Sequence, residues 1–382
     1  MQKGRRGEEE VSELGDRVGG SKESASQWEL MWRRFKRHKA GQVGGVIILV
    51  VSTLVFMANF LGPYHYAVQH RRYSNAPPTD IHFLDEGGLA WPYVYKTTSE
   101  LNENYRRVFK EDKSEKYPIK FFVKGEKYSF WGLFESRIHL FGTGTKEAPI
   151  FPFGTDKFGR DIFTRTLWGG WVSLLIGPFA LITTLVIAIP IGLISGYFGG
   201  TVDMLIQRLT EVVMAFPKLP LWLALAMIFQ GLPSAYRFFF IVAVFSFVDW
   251  TSLSRTLRGL VLSAREQDYS MAARASGAST PRIMFRHILP NTISYLMVAS
   301  TLSIPGWIIG EASLSFLGLG IKEPQTSWGL LLNQASNIQS LVSYPWLIIP
   351  GAFIVVTVLA FNFLGDAVRD AADPFATIGD EE

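Results

Sequence analysis

Three acidic residues interrupt or adjoin the long apolar stretches of this chain and are the first candidates for chemistry: Glu211, Asp249 and Glu311. Acidic side chains inside membrane helices carry protons or sodium ions in pumps and transporters. All three lie near the ends of their apolar stretches, where a carboxylate can reach water or an interfacial partner. They therefore predict no proton or sodium site at the middle of a membrane, which argues against a carrier driven by an ion gradient.

The chain also lacks a complete set of residues for hydrolytic chemistry. Ser279 and His287 lie close in sequence, but in an arginine-rich segment and not in an apolar stretch, where an intramembrane serine protease needs them. Residues 142–146, GTGTK, have neither the spacing nor the following helix of the G-x4-G-K-[ST] phosphate loop. With no cysteine in the chain, thiolate nucleophiles, disulfides and cysteine-bound metals are excluded. We therefore predict that the chain is not an enzyme and has no catalytic, cofactor-binding or metal-binding residues.

The arginine-rich segment 265–291, REQDYSMAARASGASTPRIMFRHILPN, is the most informative part of the chain. Residues 266–276 predict a helix, and Gly277 is well placed to end it because glycine readily adopts the left-handed conformation found at helix ends. One surface of this helix has unusually small side chains: Ala272, Ala273, Ala275 and Ser276. Such a surface lets two backbones approach closely, and it suits docking in a groove of a partner protein.

A second short helix is predicted directly after this turn. Thr280 can cap its first turn, Pro281 suits that turn, and Pro290 is expected to end the helix. An amphipathic hairpin on anionic lipid, or a helix-turn-helix that contacts nucleic acid, would show the same pattern. The spacing alone leaves these alternatives to partner docking open.

Membrane-spanning helices must position this segment, because 48% of the chain is hydrophobic and its mean hydropathy is +0.19. Four stretches of about twenty residues or more contain no charged residue, which is enough to cross the hydrocarbon layer: 43–62, 171–200, 291–310 and 341–365. Two weaker stretches, about 209–231 and 237–254, contain two charged residues each. We predict six spans in total. If the two weaker stretches formed a re-entrant hairpin, four would remain.

Basic residues indicate the orientation of these spans. One cluster precedes the first span and a second lies between the fourth and fifth spans: Arg33, Arg34, Lys36, Arg37 and Lys39, then Arg255, Arg258, Arg265, Arg274, Arg282 and Arg286. Short basic loops stay in the cytoplasm, so both clusters and both chain termini are expected there. The net charge of +4 is too small to indicate nucleic acid.

These patterns divide the chain into consecutive parts. Residues 63–153 have a soluble-like composition with extended stretches, and we expect them to form a small ordered extracytoplasmic domain of mixed structure. The other parts are a partly disordered cytoplasmic segment (1–40), the first span (41–62), a membrane domain with five further spans (154–375) and a tail (376–382).

The arginine-rich segment resembles the EAA loop of the membrane subunits of ABC importers, whose pattern is E-A-A-x3-G-x9-I-x-L-P. The matching positions are Met271-Ala272-Ala273, Gly277 and Leu289-Pro290. Met271 stands where the general pattern has Glu, and His287 stands where it has Ile. The ending RHILPN is, however, the form used by one subfamily, the second (C-type) permease subunit of dipeptide and oligopeptide importers.

Three further segments resemble the same subfamily. Residues 154–165, GTDKFGRDIFTR, resemble its signature GTDxxGRDxx(S/T)R. Residues 311–320, EASLSFLGLG, resemble EAxLSFLGLG, and residues 362–374, NFLGDAVRDAADP, resemble NxLGDxxRDxxDP. Trp171 departs from the subfamily, which usually has Arg there. The long segment before Gly154 looks like that of the long-loop permeases for larger peptides, such as those similar to the microcin-type transporter.

The resemblance implies an all-α polytopic membrane protein with six transmembrane helices of the type I ABC importer permease fold. Such a subunit forms a translocation path for peptides, with oligosaccharides or nickel chelates as alternative substrates and an ion-driven carrier as the less favoured alternative. Its partners would be a second homologous permease subunit, two ABC ATPase subunits that bind ATP and Mg²⁺, an extracytoplasmic solute-binding protein and the lipid bilayer, with no nucleic acid. It would lie in a bacterial or archaeal plasma membrane.

The resemblance also implies two sets of site residues. The first set, in a cytoplasmic coupling loop over 257–290, would dock the ATPase: Ala272, Ala273, Arg274, Gly277, Arg286, Leu289 and Pro290. Arg274 and Arg286 could equally be ordinary residues of a basic cytoplasmic loop. The second set is the extracytoplasmic signature: Gly154, Thr155, Asp156, Gly159, Arg160, Asp161 and Arg165. It would form an amphipathic helix that supports the outer gate or the binding-protein contact, or, as we favour, a capping and ion-pair cluster that holds the loop to the bundle.

Overall fold

The computed structural model describes residues 27–372, except 86, 87, 102, 104–106, 131 and 133. The expected disorder of the first residues and the predicted tail 376–382 lie outside the described residues. Helices form the membrane domain, and strands form the segment between its first two long helices.

The helices are numbered in chain order. They are α1 (Gln27–Phe35), α2 (Lys39–Phe56), α3 (Ala58–Leu61), α4 (Ile162–Phe198), α5 (Gly200–Met214), α6 (Lys218–Ile228), α7 (Ser234–Ala264), α8 (Asp268–Ala275), α9 (Thr280–Arg282), α10 (Leu289–Phe316), α11 (Trp328–Asn333), α12 (Ile338–Ser343) and α13 (Ile349–Ala372). A π-helical turn, Ile283–Ile288, joins α9 to α10 in one helical segment, Thr280–Phe316. A 3₁₀ turn, Pro345–Ile348, leads into α13.

Five helical segments of the described chain are long and apolar enough to cross a membrane: α2, α4, α7, Thr280–Phe316 and Pro345–Ala372. A sixth crossing is possible if α5 and α6, which meet at an angle of 86°, form one broken span. The weaker stretch 237–254 belongs to the continuous 31-residue helix α7, so it is not half of a re-entrant hairpin.

The predicted third span, 209–231, is divided between α5 and α6. Pro217 adopts an extended conformation at the N-cap of α6, with φ −60° and ψ 134°, and has no N–H to continue the hydrogen bonds of α5. The chain therefore turns sharply between Met214 and Lys218, and the apolar side chains are divided between two helices.

The long helices pack closely where small residues meet. On α4, a Cβ on Gly192 would lie 2.9 Å from the carbonyl oxygen of Ser254, and one on Gly196 would lie 2.8 Å from that of Arg258. Both acceptors are on α7. These two glycines, four residues apart on one face of α4, therefore bring the backbones of α4 and α7 together.

The described part of residues 63–153, called the insertion below, contains five strands and one short 3₁₀ turn, Arg71–Tyr73. Strands β1 (His82–Asp85), β2 (Gly88–Leu101) and β3 (Arg107–Pro118) form an antiparallel sheet, and β4 (Lys120–Phe130) pairs with β5 (Phe134–Gly142) in a separate antiparallel hairpin. A small core joins the strands to the chain that follows them: Val94, Tyr117, Ile119, Ala148 and Ile150.

Candidate functional site

The bundle has two ends that carry the sequence motifs. The insertion end carries the signature segment 154–165, next to the strands. The loop end carries the hairpin 265–290, next to the C-terminus of α4, because Arg265 Nη1 donates to the carbonyl oxygens of Gly196 and Tyr197 at 3.3 and 3.2 Å.

Asp156 is the centre of the signature segment and is 1% exposed. Its Oδ2 atom lies 2.7 Å from Arg160 Nε and 2.6 Å from Arg165 Nη1. Both guanidinium groups also reach Glu323: Arg160 Nη1 lies 2.9 Å from Oε2, and Arg165 Nη2 lies 2.7 Å from Oε1. Two carboxylates and two arginines thus form a network that ties the start of α4 to the loop between α10 and α11.

Glu323 is a member of this network that the sequence analysis missed. It follows the 311–320 motif, but nothing in its local sequence shows that it pairs with a residue 158 positions earlier. The only sequence feature that pointed to Glu323 was its position shortly after the 311–320 motif, which resembles the same family.

The backbone of the signature segment does not form the amphipathic helix that was one of the two expectations. Gly154 and Gly159 have φ of +70° and +73°, and a short bridge pairs Thr155 with Asp161. A Cβ on Gly159 would lie 2.1 Å from the carbonyl oxygen of His70. The segment is therefore a tight turn packed on the first part of the insertion, and its helix begins only at Ile162.

Side-chain hydrogen bonds complete this turn. Thr155 Oγ1 donates to the carbonyl oxygen of Tyr73 and accepts from the N–H of Ala76 at 2.8 Å. Trp346 Nε1 donates to the carbonyl oxygen of Thr155 at 3.1 Å. Asp161 caps α4, since Thr164 donates to its Oδ2 from N–H and from Oγ1 at 2.9 and 2.6 Å. The contacts are those of a capping and ion-pair cluster.

The two aspartates of the cluster have opposite electrostatic environments. Burial opposes the charge of Asp156, but Arg165 and Arg160 more than offset this cost, so the pKa of its carboxyl lies below the usual range. Burial raises the pKa of Asp161 to about 7, against the hydrogen bonds from Thr164. Asp156 is therefore a permanent anion near neutral pH, whereas Asp161 can take up a proton.

At the loop end, the predicted helix end at Gly277 is confirmed, with φ of +77°. The inner face of this hairpin is packed: Ser270 is fully buried and donates to the carbonyl oxygen of Ala264 at 2.8 Å. Ala273 and Leu289 are half-buried against a cluster that joins α4, α7 and the π-helical turn. The hairpin is thus held firmly to the bundle from within.

The outer face of the hairpin is open. Ala272, Gly277, Arg286 and Pro290 are exposed. Arg274 is exposed too, and its guanidinium lies over the ring of Tyr197 at 5.7 Å from the ring centre. Most of the predicted docking residues are therefore accessible, and Ala273 and Leu289 are half-buried.

Three predictions about this hairpin are wrong. Ser279, not Thr280, precedes the second helix, and its side chain makes no capping hydrogen bond. Pro290 does not end that helix, because it lies in the first turn of α10, directly after the π-helical turn, where its missing N–H is tolerated. The predicted loop 257–290 is also too long at its start, since residues 257–264 are the last turns of α7.

The expected position of one intramembrane acid is also wrong. Asp249 lies at the middle of α7 and is 8% exposed, because α7 continues to Ala264, well beyond the apolar stretch. Glu311 lies near the end of α10, as expected, but it is fully buried and accepts hydrogen bonds from Ser173 Oγ at 3.0 Å and Ser315 Oγ at 2.6 Å. Glu211 is partly exposed and pairs with Arg208 at 2.9 Å, as a residue near a span end should.

No group of three or more histidine, aspartate or glutamate side chains in the described chain is arranged to hold a metal ion. The geometry is that of a membrane domain with a closed polar cluster at one end and an open helical hairpin at the other.

Comparison with known families identifies this class of protein. Residues 188–377 match the family described as binding-protein-dependent transport system inner membrane component, and residues 26–78 match the N-terminal TM domain of oligopeptide transport permease C. The chain belongs to this family and is a permease subunit of an ABC importer, in which ATP is hydrolysed by separate subunits. The predicted fold class and the prediction that the chain is not an enzyme are confirmed.

Individual relatives match over most of their length. The dipeptide transport system permease protein DppC of Alkalihalophilus pseudofirmus is 41% identical over 223 residues, which are 58% of this chain and 71% of that protein. DppC of Lactococcus lactis subsp. cremoris is 32% identical over 367 residues, 94% of this chain and 93% of that protein. The oligopeptide transport system permease protein OppC of Bacillus subtilis is 29% identical over 365 residues, 95% of both chains.

Among solved structures, a chain of the MetNI methionine ABC transporter in an inward-facing conformation aligns with 16% identity and a TM-score of 0.42. The alignment covers 55% of this chain and 96% of that chain.

Proposed function

We propose that this permease subunit moves peptides, with oligopeptides as the main class, that an extracytoplasmic solute-binding protein delivers. The printed names of the relatives, which are dipeptide and oligopeptide permeases, support this substrate class. The importer would combine this chain with a second homologous permease and two ABC ATPases, and the ATPases would bind the ATP and Mg²⁺. The chain would lie in a bacterial or archaeal plasma membrane.

The proposed orientation places the hairpin 265–290 and both termini in the cytoplasm and the insertion outside. The basic residues support it, because arginines and lysines cluster before α2 and around the hairpin, and short basic segments stay in the cytoplasm. The ATPases would then meet the hairpin, and the binding protein would meet the insertion end. ATP would drive the bundle between inward-facing and outward-facing states.

The observation that carries this mechanism is the continuity of the hairpin with the bundle. The second half of the hairpin is the start of the 37-residue helical segment Thr280–Phe316, and its side chains Ile283, Met284 and Ile288 are buried. A displacement applied to α8 would therefore pass directly into α10 and α4. Such a displacement changes transport only if the docked ATPase favours one state of the bundle over the other.

The exposed turn at Gly277 allows a direct test of docking. An added Cβ at Gly277 meets nothing within 4 Å, so Gly277→Asp adds a charge and backbone strain without a clash inside the chain. We expect normal membrane insertion, with loss of binding-protein-stimulated ATP hydrolysis and of peptide import in liposomes that contain the complete importer.

Gly200→Asp is the matched control for this variant. Gly200 has φ of +56°, an added Cβ there also meets nothing within 4 Å, and the residue lies at the start of α5, outside the hairpin and the insertion. The control should insert and import at the wild-type rate. Wild-type import by Gly277→Asp would show that the hairpin does not dock the ATPase.

A further inference from the structure

An open cavity of about 340 Å³ lies between α4, α6, α7 and α10. It is beside Asp249, at the middle of α7, and beside Lys218, at the break between α5 and α6. Its walls are mixed: hydroxyl groups on α4, α7 and α10, and the aromatic side chains Trp222, Tyr295 and Trp307. A cavity of this composition can take both the polar backbone and the apolar side chains of a small solute.

The cavity contains an ion pair in which one partner is buried and the other accessible. Lys218 Nζ lies 2.6 Å from Asp249 Oδ1; the side chain of the lysine is 60% exposed and that of the aspartate 9% exposed. Trp307 Nε1 donates to Asp249 Oδ2 at 2.8 Å, which fixes the carboxylate in place. A flexible lysine at a helix break can leave, whereas the carboxylate cannot.

Several polar atoms on the cavity wall have no hydrogen-bond partner in the described chain. They are Thr184 Oγ1 on α4, Trp222 Nε1 on α6 and Ser300 Oγ on α10, and all three residues are buried. Buried polar groups are nearly always hydrogen-bonded, to protein or to water. The three atoms are themselves buried, so a solute in the cavity reaches them only if the helices move apart.

We propose that this cavity is a part of the translocation path in this subunit and that the Asp249–Lys218 pair binds the terminal charges of a passing peptide. The inference rests on the proposed function as a peptide importer. The peptide ammonium replaces Lys218 at the carboxylate of Asp249, and the released lysine meets the peptide carboxylate at the N-terminus of α6. Each charge keeps an opposite partner throughout, which matters because an unpaired charge inside a membrane is costly.

The alternative is that the pair only fastens the bent span to α7, and neutral variants distinguish the two roles. Asp249→Asn, Lys218→Gln and the double variant are compared in liposomes that contain the complete importer. If the pair is only a fastening, each single variant leaves one uncompensated charge and the double variant recovers, since removing both partners of a buried pair is often neutral.

If the pair binds the peptide, the double variant imports as slowly as the worse single variant. We expect a reduction of about tenfold or more, the effect of losing a hydrogen bond to a charged group. Recovery of import in the double variant, or wild-type import in both single variants, would overturn the inference.

Glu211→Gln is the matched control, because Glu211 pairs with Arg208 and Arg255 and connects α5 with α7 outside the cavity. It should import at the wild-type rate. A wild-type importer that hydrolyses ATP when the binding protein is added, yet imports no peptide, would instead refute the proposed substrate class. The two failures are therefore distinguishable.

Access to the cavity is tested separately, because the chain has no cysteine. Ser303→Cys, at an exposed position on the cavity wall, should react with a charged, water-soluble thiosulfonate reagent, and peptide present during ATP turnover should slow the reaction, measured as a mass increase of this chain. Ser246→Cys is the control: it is buried on α7, where Ser246 Oγ donates to the carbonyl oxygen of Ala180, and it should not react. An unreactive Ser303→Cys, or labelling that peptide does not slow, would contradict a peptide path here.

Discussion

The insertion end and the loop end of this permease differ in whether their motif side chains find partners within the chain. At the insertion end, Asp156, Arg160 and Arg165 are buried and paired with one another or with Glu323. At the loop end, the inner face of the hairpin is packed but its outer face of small residues is exposed. The first end pairs its charges within the chain, whereas the second leaves a face of small side chains exposed.

This difference predicts opposite kinds of mutational effect. Changes in the buried cluster should lower the free energy of unfolding, because they leave charges or clashes that the chain cannot relieve. Changes on the exposed hairpin surface should leave stability nearly unchanged and should act on coupling to the ATPase. The following four variants test this contrast, from the largest expected effect on stability to the smallest.

Asp156→Asn should have the largest effect. It leaves Arg160 and Arg165 side by side without the carboxylate that they share, and breaking a buried ion pair costs about 3–5 kcal/mol. Thermal unfolding of the purified chain in detergent measures the loss. Glu135→Gln breaks the exposed pair with Lys127 and should change stability little. Equal stability of the two variants would show that the cluster is not a structural tie.

Gly159→Ala should be the next most destabilising. The new Cβ would lie 2.1 Å from the carbonyl oxygen of His70, in addition to the strain of φ +73°. Gly144→Ala has nearly the same φ, +74°, but its Cβ would meet only Val123 at 3.8 Å. The control should lose about 1–2 kcal/mol from backbone strain, and Gly159→Ala should lose about 1–3 kcal/mol more from the clash. Chemical denaturation of both variants gives the difference in the free energy of unfolding. Similar losses of stability in the two variants would show that His70 does not lie against Gly159.

Asp161→Asn should have a small effect that depends on pH. The pKa of Asp161 rises from its ordinary value of 3.8 to about 7 in the folded chain. Between these values the folded chain holds a proton that the unfolded chain has released, so this group lowers stability as pH rises towards 7. The variant lacks this penalty, and its stability relative to wild type should increase from pH 5 to pH 8. Parallel pH profiles of unfolding would contradict the raised pKa.

Ala272→Leu should leave the free energy of unfolding within about 0.5 kcal/mol of wild type, since the side chain is exposed. Coupled ATP hydrolysis and import should nevertheless fall about tenfold, within the usual range of coupling energies, because the larger side chain blocks close docking. Ser99→Leu, an exposed change on β2, is the control and should alter neither quantity. A drop in stability without a drop in coupling would reverse the contrast between the two ends.

Features that depend on neighbouring residues were predictable from the sequence. The apolar stretches located α2, α4, α10 and α13, and Gly277 located the end of α8. Each is a local property: about twenty uncharged residues cross the hydrocarbon layer, and a glycine permits the positive φ of a helix end. The family motifs were readable for the same reason, as short contiguous segments.

Features that depend on distant residues were not predictable. Asp249 was placed near a span end because its apolar stretch ends there, but α7 continues for three more turns, and Arg258 near its end pairs with Asp203 of α5. Pro290 was expected to end a helix, but the preceding π-helical turn lets the helix continue. Contact with another helix accompanies the first difference, whereas a change of helical type within the same segment accounts for the second.

The sequence by itself determined that this chain crosses a membrane several times, that it belongs with the peptide-importer permeases, and where its exposed turn lies. Hydrophobicity and turn chemistry act over a few residues, so they can be read along the chain. Only the tertiary structure decided that Arg165 shares its charge with Glu323 and that Lys218 meets Asp249 across a cavity. Ion pairs depend on distance in space, and the chain brings these partners together only when its helices pack.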